Sequence, residues 1–334
     1  MTFQKILIIQ TAFIGDVILA TALIEKLKHH FPEGKIDFLL RKGNESLLID
    51  HPKLNKVLIW NKKDGKIKNL LKTLNQIRDT KYDLVVNIQR FTSSGIFTAF
   101  SQGTKTIGFN KNPLSVLFTQ KIKHDFQKGI HEIDRNLSLI STITDHQRFL
   151  PKLYPTQKDY QHIEKFQSDP YICMAPNSVW FTKQYPMEKW IELIQKIPFE
   201  GKIYLLGAPG DKSNCEEIIA KSENKNVENL AGKLSLLQSA ALMEASEMNY
   251  VNDSAPMHLA SAMNAKTCAI FCSTIPEFGY GPLSEKSKII QVEESLSCRP
   301  CGLHGHKQCP KGHFKCGMDI NTDKLIQVYT QFNS

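Results

Sequence analysis

The feature that most constrains this chain is an alternation. Short runs of Ile, Val, Leu and Phe, each the length of one strand, are separated by stretches of helical period. In the first half the runs are "KILIIQ" (Lys5–Gln10), "KIDFLL", "KVLIW", "YDLVVNI" and "KTIGF", with helical stretches at Asp16–His29 and Lys66–Arg78. The runs are apolar at consecutive positions rather than at every second one, as expected of strands covered on both faces. Parallel pairing needs a crossover between strands, and the helical stretches supply it. The second half repeats the pattern with "YICMAP", "KIYLLG", "EMNYVND" and "KTCAIFC", and with helices near Met187–Lys196, Asp211–Lys221 and Leu234–Ala245. Between the halves, "FLPKLYPTQKDY" carries two prolines and marks a linker around Pro151–Tyr160. The expected architecture is α/β: two Rossmann-like doubly wound domains, residues 1–154 and 155–334, facing a central cleft.

Several function classes fall away on composition. With 334 residues, 41% hydrophobic and 22% charged, the chain has the make-up of a globular protein with two cores. The most apolar stretch, Ile6–Ile24, is broken by Gln10 and Asp16, so neither a membrane span nor a signal peptide is expected. That points to a cytoplasmic protein whose eight cysteines are thiols or ligands rather than disulfides. Charge is uneven: residues 1–154 hold 24 Lys and Arg against 13 Asp and Glu, whereas 155–334 hold 18 against 20. A basic first half suits an anionic partner, whether nucleic acid, a membrane surface or an acidic substrate, and equally suits a lysine-rich solvated surface. The nucleic-acid reading has charge alone behind it, with no stacking-rich basic motif. "NKKDGKIKNLLKTL" (Asn61–Leu74) reads as a solvated helix or as an amphipathic one resting on an anionic surface.

In doubly wound sheets ligands bind beyond the carboxyl ends of the strands, and three such ends carry unusual residues. After the first strand the chain turns through Thr11–Gly15 into a helix whose first turn holds Asp16. A helix-start acid is stabilised by the dipole by roughly 0.3–1 kcal/mol, which alone explains many such residues. The turn has one glycine, so it lacks the G-x-G-x-x-G dinucleotide fingerprint. The second end, "YICMAPNSVWFTKQYPMEKW", presents Asn177, Ser178 and Lys183 among Trp180, Phe181 and Tyr185, aromatic residues able to hold a lysine stem and aim its ammonium at phosphate. The third, "VNDSAPMHLASAM", is a strand end followed at once by a helix start. Asn252, Asp253 or Ser254 is expected to cap that helix, whose N-terminus is suited to an anion. His258, taken alone, reads as a core histidine.

Together, "TAFIGDVILATALIEKLKHHFP", the "W…K.YPMEKW" segment, "NDSAPMHLASAMNAKTCAIF", "HEIDRNLSLI" (His131–Ile140) and the tail "CRPCGLHGHKQCPKGHFKCGMDI" resemble glycosyltransferase family 9, the ADP-heptose:lipopolysaccharide heptosyltransferases. The resemblance implies a GT-B fold with the acceptor on the N-terminal domain and the nucleotide sugar on the C-terminal one, whose last helix is allowed to pack back on the first domain. It implies a metal-independent, inverting transfer that needs no cofactor beyond the ADP-heptose donor. Asp16 falls where the family places its general base, and Lys183 matches the lysine that contacts the donor phosphates. Asp253, Ser254, Ala255, Pro256, Met257 and His258 match the segment that cradles the diphosphate and sugar, with Asn177 and Ser178 beside them. Thr11, Gly15, His131 and Arg135 fall on the acceptor side; the last two, four residues apart, suit either an acidic acceptor or the domain interface. Asp211 reads more readily as a helix cap than as a ribose ligand. Ala255 stands where the family usually has glycine, so a methyl group narrows the phosphate turn. Cys298, Cys301, Cys309 and Cys316 have zinc-knuckle spacing in the first pair only, and thiols are preferred to a structural metal. An anionic lipopolysaccharide core at the cytoplasmic face of the inner membrane would fit the basic half. The rival readings are a GT-B transferase or epimerase using another nucleotide sugar, and a non-catalytic binder of a nucleotide or anionic glycan.

Overall fold

The computed structural model describes residues 2–127 and 129–333, and the chain divides into two compact units, Met1–Tyr154 and Pro155–Ser334. In the first unit the strands are β1 (Lys5–Ile9), β2 (Lys35–Arg41), β3 (Lys56–Trp60), β4 (Leu84–Asn87), β5 (Lys105–Phe109) and β6 (Gln120–Ile122). The helices are α1 (Ile14–His30), α2 (Lys66–Thr80), α3 (Thr92–Ala99) and α4 (Glu132–Ser138). All strands pair in parallel in the order β3-β2-β1-β4-β5-β6, with Ile9 opposite Asn87 where the order reverses. β1 and β4 are buried along almost their whole length, the expected outcome of consecutive apolar residues in a sheet covered on both faces. α1 is buried at every position from Val17 to Ile24. Trp60 anchors one face of the sheet, its ring edge-on to Phe97 at 5.1 Å.

The second unit holds α5 (Gln157–Ile163), β7 (Tyr171–Ala175), α6 (Met187–Lys196), β8 (Lys202–Leu205), α7 (Lys212–Ser222), β9 (Val227–Asn229), α8 (Leu236–Glu244), β10 (Asn249–Asn252), α9 (Ala255–Ala262), β11 (Thr267–Phe271), β12 (Ser287–Gln291), α10 (Lys315–Met318) and α11 (Thr322–Asn333). Its parallel order, β12-β11-β10-β7-β8-β9, is the same topology repeated, with the reversal between β7 and β10. Each unit therefore offers one crevice, at the carboxyl ends of β1 and β4 and of β7 and β10. The linker region is partly helical: Thr156 caps α5 by accepting from the Asp159 amide at 3.3 Å. The last helix belongs to the second unit. Leu325 and Val328 of α11 enter its core, and the Tyr250 hydroxyl donates to the Leu325 carbonyl at 3.0 Å. Among the described residues no helix is long and apolar enough to cross a membrane.

Candidate active site

At the carboxyl edge of the first sheet, Thr11 is buried and Gly15 lies in the first turn of α1. Asp16 is the third residue of that helix, and its Oδ2 accepts from the Phe13 amide at 3.2 Å, so it does close the helix start. It retains some contact with solvent, but protein surrounds it, and this desolvation raises its carboxyl above the usual aspartate range. The Phe13 amide and the nearby charges of Arg41 and Arg90 act in the opposite sense without cancelling the shift. Arg41 ends β2 and lies 4.6 Å from the Phe13 ring centroid. Lys62, just past β3, donates to the Thr11 carbonyl at 3.0 Å, and desolvation together with Arg41 and Lys66 lowers its pKa. Arg41 and Arg90 thus lie near a carboxylate that burial makes more basic than usual, with Lys62 close to Arg41.

The second crevice is built differently. Lys183 ends a single helical turn, Phe181–Lys183, between β7 and α6, and its Nζ stands 2.7 Å from Asp253 Oδ2. The same oxygen accepts from the Thr274 hydroxyl at 2.6 Å. Asn252, the last residue of β10, holds the reversal point together. Its amide donates to the carbonyls of Ala175 and Pro176, and its oxygen accepts from the Tyr185 amide at 2.9 Å. None of Asn252, Asp253 and Ser254 caps α9, contrary to expectation, because the first two are engaged across the crevice. The Ser254 hydroxyl instead turns back to the Asn252 carbonyl at 3.4 Å. Ala255 takes ordinary helical backbone, so the methyl group in place of glycine carries no strain. Ser254, Ala255 and Pro256 are the partly exposed members of this turn. Met257 does not belong to a donor surface: its side chain is wholly buried, and its amide is bonded to the Ser254 carbonyl at 3.1 Å. His258 is also buried, in line with the core reading.

Other expected residues are drawn into structural roles. Asn177 accepts from Asn214 and reaches Cys215, tying its loop to α7, while the Ser178 carbonyl accepts from Gln184 at 2.6 Å. Asp211 stands at the head of α7 without capping it; its Oδ2 accepts from the Ala208 amide at 2.7 Å and closes the preceding turn, Pro209–Asp211. Its neighbours Pro209 and Lys212 line an open pocket of about 430 Å³ with Asn229 and Gly232. His131 caps α4 through Nδ1, accepting from the Ile133 amide at 3.2 Å. Arg135 is buried, bound to Glu132 at 2.8 Å and to the Ile130 carbonyl, with Phe126 against its guanidinium. It is a framework residue of the first unit, not an exposed acceptor contact. The aromatic residues near Lys183 also go elsewhere: Phe181 packs on Phe314, and Tyr185 lies in the core edge-on to Trp190.

All eight cysteines are free. Cys298, Cys301, Cys309 and Cys316 gather in one region, close enough for their charges to interact. Among the described residues, however, no three His, Cys, Asp or Glu side chains are grouped to hold a metal ion. Cys301 turns its thiol to the Cys298 carbonyl at 3.0 Å, Cys298 faces His313 at 3.8 Å, and Cys316 is buried in the core. Sequence reasoning missed Arg41, Lys62 and Arg90, which the rule that strand ends carry function would have found. It also missed Thr274 and Arg299, for which no local signal exists.

Two doubly wound sheets, with an acid at one reversal point and a lysine beside a helix start at the other, give the chain two crevices of the kind in which α/β proteins bind ligands. Residues 70–313 match the profile of "Glycosyltransferase family 9 (heptosyltransferase)", and the chain belongs to that family. It is 27% identical over 275 residues to lipopolysaccharide heptosyltransferase 3 of Escherichia coli K12, covering 78% of this chain and 80% of that one. It is 24% identical over 329 residues to lipooligosaccharide heptosyltransferase 2 of Campylobacter jejuni, covering 97% of both. The solved structure of E. coli ADP-heptose lps heptosyltransferase II superposes with a TM-score of 0.80 at 20% identity over 98% of each chain, and the fold is GT-B. The chain is therefore a glycosyltransferase.

Proposed function

We propose that this enzyme transfers heptose from ADP-heptose to a hydroxyl of the lipopolysaccharide inner core, with inversion at the anomeric carbon and without a metal or other cofactor. The observation that carries the reading is Asp16, a carboxylate at a sheet's reversal point whose burial raises its proton affinity. Asp16 takes the proton from the acceptor hydroxyl as that oxygen forms its bond to the anomeric carbon. The bond from that carbon to the ADP phosphate oxygen breaks in the same step. General-base catalysis of this kind contributes about 10²–10⁴-fold. Lys183 and the partly exposed start of α9, Ser254–Pro256, meet the charge that develops on the diphosphate. Asn177 and Ser178 border that site, while Asp211 keeps its bond to the Ala208 amide. Thr11, Gly15, Arg41, Lys62 and Arg90 form the acceptor side, suited to the carboxylates and phosphates of the core.

The same edge of the first unit exposes Ile67, Leu71, Val116 and Leu117, with Lys63, Lys66, Lys68 and Lys72 alongside the first two. Apolar side chains among cations suit the anionic cytoplasmic face of the inner membrane, where a lipid-borne acceptor would be met. The test of the reading pairs calorimetry with turnover for wild type and Asp16→Asn. ADP is expected to bind both equally, ahead of UDP and GDP, while transfer from ADP-heptose to a truncated core acceptor is lost in the variant only. Near wild-type transfer by Asp16→Asn would reduce Asp16 to a helix-start acid and end the proposed mechanism.

A further inference from the structure

The cysteine-bearing tail has no part in the reaction as proposed, yet it touches the Lys183 turn directly and also holds the segment after β11 that supports that turn. His306 donates its amide to Thr182 Oγ1 at 2.8 Å and accepts from the Thr182 amide at 3.1 Å. Gly305, at φ +77°, packs so closely that a Cβ there would stand 3.0 Å from Lys183 Cγ. Arg299 makes the other contact. Its guanidinium donates to the carbonyls of Cys272 at 2.7 Å, Phe271 at 3.2 Å and Thr274 at 2.7 Å, and to Gln291 Oε1 at 2.8 Å. Three consecutive-region carbonyls on one planar fork fix the turn after β11, an arrangement a lysine ammonium cannot reproduce.

That turn is the support of the donor lysine. Ser273 bonds Thr182 through its amide at 3.2 Å and its hydroxyl at 3.0 Å, while Thr274 bonds the carboxylate oxygen that holds Lys183. Lys183 is 15% exposed and Asp253 8%, so this pair is screened only weakly by water. We infer that Thr274 and Arg299 are positioning residues for Lys183, acting through Asp253. Arg299 fixes the turn, Thr274 fixes the acceptor oxygen, and the ammonium is held at one place before the donor arrives. Preorganisation of this kind raises affinity by removing the cost of ordering a flexible side chain on binding. The inference rests on the reading of Lys183 as the diphosphate ligand.

The test is a double-mutant cycle read by ADP calorimetry, with thermal melting run on each variant. Thr274→Val keeps the shape of the side chain and removes the donor hydroxyl. It is expected to weaken ADP about tenfold in the wild-type background, the loss typical of a hydrogen bond to a charged group. In a Lys183→Ala background the same substitution is expected to change ADP affinity by less than about twofold. Thr274→Ser should restore binding, and Arg299→Lys should weaken ADP as Thr274→Val does. Equal effects of Thr274→Val with and without Lys183, or no effect at all, would overturn the inference while leaving the donor site in place. If Lys183→Ala itself leaves ADP affinity unchanged, the donor-site reading fails, and the inference with it. An Arg299→Lys protein that keeps wild-type ADP affinity would overturn the part given to Arg299.

Discussion

The two sheets share one strand order and differ in how their crevices manage charge. In the first, Arg41, Lys62 and Arg90 outnumber Asp16, Arg41 facing an aromatic ring and Lys62 a backbone carbonyl. In the second, the lysine is matched by a buried carboxylate, and the carboxylate by a threonine. A cationic edge with one basic carboxylate suits recognition of an anionic acceptor and removal of its proton. A neutral, fully bonded edge suits a lysine that must be held in place for a leaving group. The same backbone thus supports two jobs through the few residues that follow its strands.

The largest expected effect is on turnover. Asp16→Asn should lower kcat by about 10²–10⁴-fold while the protein melts no earlier than wild type. The reason for the second part is a matter of sign. A carboxyl whose pKa rises on folding favours the protonated form, so its contribution to stability is lost as pH climbs through the folded value, and an amide escapes that loss. For the same reason the acidic limb of the rate profile should lie above that of an ordinary aspartate. Calorimetry should next show Lys183→Ala weakening ADP by about 10–100-fold, the range for a hydrogen bond to a charged group in a partly buried site, with Asp16→Asn silent in that assay. Equal responses of both assays to both variants would erase the distinction between the crevices.

Smaller effects sharpen it. Arg41→Gln should raise the acceptor KM several-fold, and the salt dependence of that KM should flatten while the donor KM stays level. Smallest is a labelling order among the cysteines. At Cys309 desolvation acts upward but is outweighed by four backbone amides, from Phe314, Lys311, Gly312 and His313, which lower the thiol, whereas burial pushes Cys173 up to about 12. Alkylation followed by mass spectrometry should therefore modify Cys309 first and Cys173 among the last.

The sequence was most readable where burial is complete. The runs that became β1, β4, β7, β10 and β11 are buried at almost every position, and α6 was delimited at Met187 and Lys196 as found. Of the edge strands only β3 was read. Gln120–Ile122 and Val227–Asn229 are three residues long with two polar residues each, so pairing with a neighbour rather than their own pattern makes them strands. α3, "TSSGIFTA", has weak helix formers and is held by the Asn112 side chain, which donates to the Gln89 and Phe91 carbonyls. At the crevices, Asp16, Lys183 and Asp253 stood out because each follows a strand. The engagement of Arg135 with Glu132, and of Met257 with the core, depends on contacts that spacing does not encode.

The bonds between His306 and Thr182 span 124 residues, and those from Arg299 reach the turn after β11. During synthesis the first unit has all its strands well before this segment exists, since domains fold as units from the N-terminus. The second sheet, too, can pair before the tail is made. The lysine turn, by contrast, gains its last supports only when Arg299 through His306 leave the ribosome. A chain cut short before that point would lose these bonds together with Leu325 and Val328 of the second core, so the lysine turn and part of that core wait on residues made after the last strand.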